Sequence, residues 1–542
     1  MGTCHEHQKD TVMKVKLSAF LGAGALLLAA CHTSIRETEP SAAFRTALDE
    51  VMLRQPNANK VKPDELAKRK GPVKLSLSLD DCLELAMVHN RAILFEQLNA
   101  EVSRANVISS RANLDFTLGA NVGYSRETQE LQNRIFGDSR DEEINAVTNV
   151  GVTATLPFAT GTTVIIDGTF VRNDSNSPFQ AFEFFPAATL TVRQHLLNGF
   201  GFVPNLGGRR IAEGEQSIAD WEVQVARNNQ AFNVAMAYWN LVEAREELVV
   251  FERQEELAKE SVELARSRFE AEIGTRLDVL AQEANLKSQE VSIIVAQALV
   301  EQRTDELVQA IHPDLLHGYA MFDEFRIEIQ TQTKADAART GEDSVVLLEE
   351  VKAALRRRPE IKQARQRIIN AGIDVEMGEY GLLPTLDLET FFGTEGFGQE
   401  FDDSLESFNK FENLRYGFRV NFGVPIQNSA ARGALMRAEL NKRAMFLAAR
   451  DSETAIILEV AKAVRDIRSA RRALESASEA LTLQRETHTA EIERQRAGLA
   501  TSFEERQAAN ELRQAELNEL KARIGLVRSR LALQKATGEL SP

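Results

Sequence analysis

The run AEIGTRLDVLAQEANL at residues 271–286 aligns with AGLATSFEERQAANEL at residues 497–512, at an offset of 226. Each run contains a single glycine, Gly274 or Gly498, and each glycine follows a long segment without proline. A continuous helix over residues 215–273 would be ~90 Å long at 1.5 Å per residue, and the second segment is about as long. The sequence therefore predicts two very long helices, each of which folds back as a hairpin at its glycine.

Apolar residues recur with a period of seven inside these segments. The first hairpin has one such series and the second has two, of which the last steps by three and four. A strict repeat of seven predicts coiled-coil packing against neighbouring helices. The three series are Val279, Leu286, Ile293, Val300 and Leu307; Val460, Ile467, Leu474 and Leu481; and Leu517, Leu520, Ile524, Val527 and Leu531.

The chain also contains an internal duplication. AMVHNRAI at residues 86–93 aligns with ALRRRPEI at residues 354–361, at an offset of 268. This match precedes the hairpin match in both copies, so two similar units follow one another along the chain.

Each copy is predicted to begin with a helix. In the first copy, Ser78 is followed three residues later by Asp81, which is a capping-box pattern. Ser344 is a candidate start for the corresponding helix in the second copy. Pro359 is expected to kink or break that second helix.

Strand patterns lie between these helices and the hairpins. Apolar and polar residues alternate over residues 116–125, 150–156, 164–170 and 188–192 of the first copy, and again around residues 386–388 and 415–424 of the second. Such strands have one apolar face and one polar face, as in a membrane barrel or a one-sided globular sheet. No later stretch reaches eighteen consecutive apolar residues, so any membrane crossing is expected to be made by strands.

Composition excludes several classes of protein. The 542 residues include only 3 cysteines and 13 prolines, which argues against a disulfide framework or a zinc-cluster protein. The formal net charge is −16, so no nucleic-acid partner is predicted. Phosphate-loop, Gly-x-Ser-x-Gly and His-Glu-x-x-His motifs are absent, so we predict no enzyme activity, no cofactor and no metal site. Cys82 lies on an apolar helix face and is interpreted as a small core residue.

The first thirty residues are typical of a secretory signal. Lys14 and Lys16 precede an apolar run from Leu17 to Ala30. The ending Leu-Ala-Ala-Cys resembles the bacterial lipobox, which implies lipidation of Cys31; the alternative is an ordinary signal peptide with an incidental cysteine. Because His32, and not an aspartate, follows that cysteine, the resemblance implies transfer to the outer membrane.

Together these features predict an oligomeric conduit, because several copies could pool their strands into an edge-free barrel and their hairpins into a tube. Five short runs resemble the outer-membrane factor (TolC-like) efflux family across residues 76–540. They are LSLDDCLELA at 77–86, LLNGFG at 196–201, TRLDVL at 275–280, LLP at 382–384 and RAGL at 496–499.

The resemblance implies a mixed α/β membrane protein that is mostly α-helical. Three identical chains would form a transmembrane β-barrel that continues into a periplasmic α-helical tube, in contact with outer-membrane lipid. The duct would be passive, serving an efflux or type I secretion system, and its partners would be a periplasmic adaptor (membrane fusion) protein and an inner-membrane pump. The alternative function is a lipid-anchored periplasmic coiled-coil adaptor or scaffold.

The resemblance also implies two sets of functional residues near the hairpin tips. The adaptor-contacting positions are Ile273, Gly274, Thr275, Gly498, Leu499 and Thr501, and the alternative is that these are plain turn residues. The periplasmic gate positions that the resemblance implies are Glu504, which keeps a carboxylate, and Gln507, where the second carboxylate is replaced by an amide; Glu505 and Asp278 are close enough to substitute for it. Three symmetry-related carboxylates would repel one another and attract cations, whereas ordinary solvated helix charge is the alternative.

The expected organisation has five segments. They are a signal peptide (1–30), an N-terminal tail (31–75), a first repeat (76–312), a linker (313–343) and a second repeat (344–540). The resemblance implies two strands per repeat, whereas the first repeat here has four strand patterns. We expect the extra pair, around residues 130–170, to form an extracellular or rim hairpin outside the barrel wall; the other interpretation is a barrel of more than twelve strands.

Overall fold

A computed structural model of the protein describes residues 73–130, 142–176, 182–311, 327–331, 346–497 and 499–540. The first half consists of a short strand, two helices, four long strands and a hairpin of two long helices. Their bounds are β1 Val73–Leu77, α1 Leu79–His89, α2 Arg91–Ser109, β2 Thr117–Glu130, β3 Glu142–Pro157, β4 Thr162–Ser175, β5 Phe184–His195, α3 Phe202–Glu270 and α4 Arg276–Ile311.

The second half repeats this order with fewer strands. Its elements are β6 Ile327–Thr331, α5 Leu347–Arg357, α6 Pro359–Gly381, β7 Thr385–Glu395, α7 Phe401–Asn409, β8 Asn413–Gly423, α8 Ser429–Arg496 and α9 Ser502–Thr537. Helices α1 and α5 begin and end 268 residues apart, and α4 and α9 begin and end 226 residues apart. The two sequence offsets therefore recur as two sets of matching helix bounds.

The short helices begin and end where local sequence chemistry dictates. Ser78 and Asp81 form the expected capping box, with the Asp81 N–H donating to Ser78 Oγ at 3.2 Å. Pro359 is the first residue of α6, so it separates two helices, as the prediction of a kink or break required. Asn90 does the same in the first half by capping α2. Ser344 lies outside the described residues.

Helix α3 is longer than the sequence predicted, because it begins at Phe202 and passes through three glycines. Pro204 falls in its first turn, where a missing N–H costs nothing. At Gly214 the packing against α6 is so close that an added Cβ would lie 2.1 Å from Asn370 Oδ1. The glycine therefore leaves room for the Asn370 side chain at the helix contact, and it does not end the helix.

Six strands form one antiparallel sheet in the order β2-β3-β4-β5-β7-β8. Strand β3 pairs with β2 along fourteen residues, and β4 pairs with both β3 and β5. The expected rim hairpin outside the main strands is therefore wrong: β3 and β4 lie in the middle of the sheet. Continuous ladders satisfy the backbone of both strands, which a separate hairpin of two strands would leave half unpaired.

The two edge strands are staggered relative to each other. Thr117, the first residue of β2, lies in the same cross-strand row as Gly417, so β8 extends six residues beyond it. At the other end Asn121 lies in the row of Asn413, the first residue of β8, and β2 continues nine residues further. The sheet is therefore skewed in the way that a barrel wall is.

A second, two-stranded sheet is absent from the sequence predictions. Strands β1 and β6 pair in parallel over five residues. Ile329 of β6 is fully buried beside Tyr238 and Trp239 of α3. Five-residue strands give too short a pattern to recognise, and these two come from segments that the sequence identified as a tail and a linker.

The helical core has two clusters that share α9. Leu520, Ile524 and Leu531 of that helix face the first cluster, with α1, α3 and α4. Leu526 and Leu533 face the second cluster, with α5, α6 and α8. Of the three predicted heptad series, that of α9 is buried and that of α8 is buried except at the half-buried Leu474, while Val279, Leu286 and Ile293 of α4 are only half-buried in one chain.

The first hairpin turns through residues 271–275. Glu272 has a left-handed backbone (φ 59), and the Ile273 N–H donates to the Arg268 carbonyl at 2.9 Å. In the second hairpin the Leu499 N–H makes the equivalent bond to the Arg494 carbonyl, also at 2.9 Å. Both tips therefore end their long helix with a Schellman-type bond.

Gly214→Val is expected to lower the midpoint of thermal unfolding of the detergent-extracted protein. Overpacking of this kind costs about 1–3 kcal/mol, because the new side chain displaces the buried Asn370. Gly208→Ala is the matched control, since an added Cβ there meets nothing within 4 Å of it. The control should be neutral or slightly stabilising; an equal loss in both variants would contradict the close-packing explanation.

Glu272→Gly is expected to stabilise the first tip. A non-glycine residue in the left-handed region costs roughly 1–2 kcal/mol, and the offset of 226 aligns Glu272 with Gly498. Slower amide hydrogen exchange at Ile273 and Gly274 would be the readout, with Glu270→Gly as a control that should accelerate exchange. Unchanged exchange in Glu272→Gly would show that this backbone is not strained.

Candidate functional site

One face of the six-stranded sheet is a continuous apolar surface. Register places Leu118, Ile166, Leu190, Phe392 and Tyr416 on this face, in neighbouring strands. The exposed fraction rises to 75% at Tyr416 and Phe418 of the edge strand β8. So large an exposed apolar area is the mark of a lipid-facing or interface surface.

The opposite face is polar and is held by cross-strand ion pairs. Glu389 of β7 lies directly between Arg193 of β5 and Arg419 of β8, with N···O distances of 3.1 and 3.2 Å. His195 Nδ1 lies 2.6 Å from Asp387 Oδ1 on the same face. The charges on this face are largely paired, so the net charge of −16 does not make this surface strongly acidic.

The two ends of the sheet differ. All connections from strands to α2, α3, α6 and α8 are at one end, where β3 and β4 are also joined by the short turn 158–161. The three longer connections, which join β2 to β3, β4 to β5 and β7 to β8, are at the other end. The long helices therefore all leave the sheet at the end that carries the short turn.

Two of the predicted gate carboxylates cap helices at the hairpin tips. The Thr275 N–H donates to Asp278 Oδ2 at 3.0 Å, and the Thr501 N–H donates to Glu504 Oε2 at 2.7 Å. These capping boxes start α4 and α9 at aligned positions. Hydrogen bonds from the threonines hold the pKa of both carboxyl groups below the ordinary value, so both groups are ionised at neutral pH.

The other two predicted gate residues have different surroundings. Glu505 Oε1 lies 3.8 Å from His488 Nε2, and both side chains are largely buried between α8 and α9. Gln507 is exposed and donates to Glu511 Oε1 at 3.1 Å. The structure therefore brings Glu504 and Glu505 to one turn of α9, with Asp278 on the neighbouring hairpin.

A polar seam, formed by Gln282 and Gln289 of α4 with Arg506 and Arg513 of α9, lies between the hairpins and extends from the tips towards the sheet. Gln282 and Gln289 of α4 are buried, and Gln282 Oε1 has no hydrogen-bond partner in the part of the chain that the structure describes. Arg513 of α9 donates to Gln289 Oε1 at 3.4 Å, and Arg506 donates to the Ala281 carbonyl at 3.4 Å. Further from the tips the corresponding seam is apolar, so the tip half of the hairpins is the less firmly packed half.

Sequence reasoning missed these seam residues, although a signal was present. Gln282, Gln289 and Ala296 recur every seven residues, three positions after the apolar series of Val279. They therefore occupy the second core position of the heptad, which is polar near the tip. The pairs Arg193–Glu389 and His195–Asp387 gave no such signal, because each joins residues almost two hundred positions apart.

Two of the predicted tip residues are strongly exposed apolar groups. Ile273 is 82% exposed and Leu499 is 73% exposed, in neighbouring turns of the two hairpins. Gly274 lies in the first turn, while Thr275 and Thr501 are the capping residues already described. Gly498 and Cys31 lie outside the described residues.

Two further observations concern chemistry and membrane helices. Cys82 is fully buried, and burial raises the pKa of its thiol to about 12, which agrees with a core role. Among the described residues no cluster of three or more His, Cys, Asp or Glu could hold a metal ion. Within the same residues no helix is both long and apolar enough to cross a membrane.

The fold is shared with several outer-membrane proteins of known structure. The CmeC outer membrane channel of Campylobacter jejuni has 16% identity, with 85% of each chain covered and a TM-score of 0.60. The MtrE outer membrane channel of Neisseria gonorrhoeae has 18% identity over 85% of this chain and 89% of its own, with a TM-score of 0.60. The outer membrane protein VceC of Vibrio cholerae has 17% identity over 85% and 96%, with a TM-score of 0.58.

No curated protein matches the chain in sequence. The family described as outer membrane efflux protein, however, matches residues 186–311 and 351–539, which together make up more than half of the chain. These ranges include the last strand and hairpin of the first half and nearly all of the second half. The chain therefore belongs to the outer membrane efflux protein family.

Proposed function

We propose that three copies of the chain close into a duct, with a β-barrel in the outer membrane and an α-helical tube in the periplasm. One observation supports this most. The sheet and the helical layer each have two uncovered edges, and the uncovered edges of the two layers lie on the same two sides. The sheet ends at β2 and β8, and helices α2 and α8 adjoin those same strands. In a ring, the edge formed by β2 and α2 of each copy would meet the edge formed by β8 and α8 of the next copy, so no edge would stay uncovered.

The strand edges suit one another. Strands β2 and β8 run in opposite directions, so β8 of one copy meets β2 of the next in an antiparallel pair. For β8 of one copy to overlap fully with β2 of the next, the next copy must be displaced along the strands by six to nine residues. This displacement equals the stagger between β2 and β8 within one sheet. At a shift of six or eight residues, which keeps the apolar faces of both strands on one side, Val122 lies opposite Phe418 or Val420 of the neighbouring copy. Each unpaired backbone group in lipid costs several kcal/mol, which gives this pairing its driving force.

The helix edges carry apolar residues that one chain leaves exposed. Phe95 and Val102 of α2 are 61% and 59% exposed, and Leu440 and Leu447 of α8 are 51% and 66% exposed. Helices α2, α3, α6 and α8 pack in this order near the sheet. The exposed residues of α2 and α8 stand at similar distances from the sheet, so they would meet across the boundary between copies.

The same arrangement continues towards the tips. There α4 packs against α3, α3 against α9 and α9 against α8, so α4 and α8 are the outer helices. Ile294 and Val295 of α4 are 64% and 65% exposed, and Leu483 of α8 is 64% exposed at a similar height above the tip. Contact between these residues of neighbouring copies would bury the half-covered heptad series of α4.

In this assembly the protein is the passive exit duct of a tripartite efflux or type I secretion system. A periplasmic adaptor would contact the tips through exposed residues such as Ile273 and Leu499, around Gly274, Thr275, Gly498 and Thr501. An inner-membrane pump would supply the energy. The family match and the two hairpins support this function, and they disfavour the adaptor alternative, whose single hairpin would interrupt a small β-domain.

We propose that the periplasmic gate lies at the tip end of the polar seam. Asp278, Glu504 and Glu505 provide the carboxylates, and Gln507 extends the same face of α9. A seam built on Gln282 and Gln289 costs less to separate than an apolar one, so this end is suited to opening. The capping hydrogen bonds keep the carboxylates ionised, which favours cations in the constriction.

The remaining proposals concern targeting and organisation. Lipidation of Cys31 after removal of residues 1–30 would anchor the tail, residues 31–75, in outer-membrane lipid. The matching helix bounds support repeats at 76–312 and 344–540 joined by a linker at 313–343. These repeats share one core through α9, so neither is expected to fold alone.

A cysteine pair across the proposed strand boundary tests the ring. Val122→Cys combined with Phe418→Cys or with Val420→Cys should give a covalent trimer on oxidation, because the paired Cα atoms would lie within disulfide range. Val122→Cys with Leu414→Cys is the matched control and should stay monomeric under denaturing conditions, since the two sites would be at least four residues out of register. Monomers from all three pairs, in protein extracted from outer membranes, would contradict the ring.

The gate proposal predicts a change in ion selectivity. Glu504→Gln with Asp278→Asn removes two charges per chain but leaves an oxygen at each capping position. The cation-to-anion permeability ratio in planar bilayers should fall towards one, and Glu263→Gln, an exposed carboxylate on α3, should leave it unchanged. A ratio that does not change in the double variant would mean that the two carboxylates are helix caps and nothing more.

A further inference from the structure

We infer that the membrane wall of this protein has eighteen strands, six from each of three copies, with the β3–β4 hairpin inside the wall. The inference rests on the proposed trimer, but it concerns the size and composition of the barrel, which the trimer alone does not fix. It starts from strand pairing: β4 is hydrogen-bonded to β3 over thirteen residues and to β5 over eleven.

The faces of β3 and β4 match those of the other strands. Val152 and Ile166 lie on the apolar face and are 37% and 48% exposed, beside Leu190 of β5 at 42%. Thr153 and Asp167 lie on the polar face, where Thr153 Oγ1 donates to Asp167 Oδ1 at 2.7 Å. In a hairpin outside the wall these apolar side chains would be exposed to water, which is unfavourable.

The stagger of the sheet fits a barrel of eighteen strands. Shifts of six or eight residues per copy, the even values that keep the apolar faces of β2 and β8 on one side, give totals of about 18 or 24 residues for three copies. With strands ~4.7 Å apart and ~3.3 Å per residue, these totals tilt eighteen strands by about 35–43°. Barrels typically have tilts of 35–45°, so the skew of one sheet and the strand count of three copies agree.

The resulting barrel also fits the helical tube below it. Eighteen strands at that tilt have a circumference of about 110 Å and a backbone diameter of about 35 Å. Helices α2, α3, α6 and α8 of three copies make a ring of twelve, which at roughly 9 Å spacing is about 108 Å around. Strands and helices can therefore join without the tube narrowing or flaring at the membrane.

The consequence is that the barrel is not the narrowest part of the duct. A 35 Å backbone diameter leaves a wide aqueous bore after side chains are added, as in porins of sixteen to eighteen strands. The upper limit on solute size is then set at the tip end, by the polar seam and its carboxylates.

Tryptophan quenching by lipids with brominated acyl chains tests the position of the hairpin. The chain has only two tryptophans, Trp221 and Trp239, both in α3 and well below the sheet, so their signal is subtracted with the unsubstituted protein. Ile166→Trp places a reporter on the apolar face of β4, and Phe418→Trp places one on β8 as the wall reference. Thr169→Trp is the matched control, because Thr169 is exposed on the polar face of β4 opposite Gly151 and Ala187.

The inference predicts that Ile166→Trp is quenched as strongly as Phe418→Trp, while Thr169→Trp is quenched by aqueous acrylamide and not by the lipid. Val152→Trp on β3 replaces Ile166→Trp if that variant fails to reach the membrane. Quenching of Phe418→Trp alone would overturn the eighteen-stranded wall and leave the trimeric barrel intact. Equal lipid quenching of Thr169→Trp would also overturn it, and absence of lipid quenching at every site would contradict the barrel itself.

Discussion

An unpaired strand edge is the constraint on which the rest of this structure depends. Six strands of eleven to sixteen residues form a sheet whose outer strands, β2 and β8, have no partner on one side among the described residues. Backbone groups cannot stay unpaired in hydrocarbon, and a single copy has too few strands to close around a bore. The proposed closure with other copies would explain the apolar face, the stagger of the edges and the exposed helix residues beside them together.

The sequence predicted the helical part better than the sheet. Long segments without proline, heptads and Gly274 were enough to locate both hairpins, because these signals are local and repeated many times. Helix α3 still began earlier than expected, since Gly207 and Gly214 look like helix breakers until α6 is seen against them. The place of β3 and β4 in the sheet depends on pairing across the chain, which alternation alone cannot reveal.

The tip carboxylates illustrate a different limit of sequence reasoning. Family resemblance selected Asp278 and Glu504 as gate residues, and the fold gives both a capping function at aligned positions. The two functions are compatible, because a capping carboxylate remains charged and exposed at the start of its helix. A single sequence cannot separate them, since the same Thr-x-x-Asp or Thr-x-x-Glu pattern serves both. The heptad spacing could have predicted that Gln282 and Gln289 of the seam are buried. That prediction requires polar residues to be considered at the core positions of a coiled coil.

Because of the turn at residues 158–161, the number of strands in the proposed barrel can change independently of the number of helices in the proposed tube. Neither β3 nor β4 continues along the chain into a helix, since β2, β5, β7 and β8 make all of the connections to the long helices. Gain or loss of such a hairpin in one gene therefore changes the strand count by six in a three-fold ring and preserves the alternation of strand direction. Members of this family could thus diverge in membrane bore while keeping the periplasmic machinery, and the partners it recognises, unchanged.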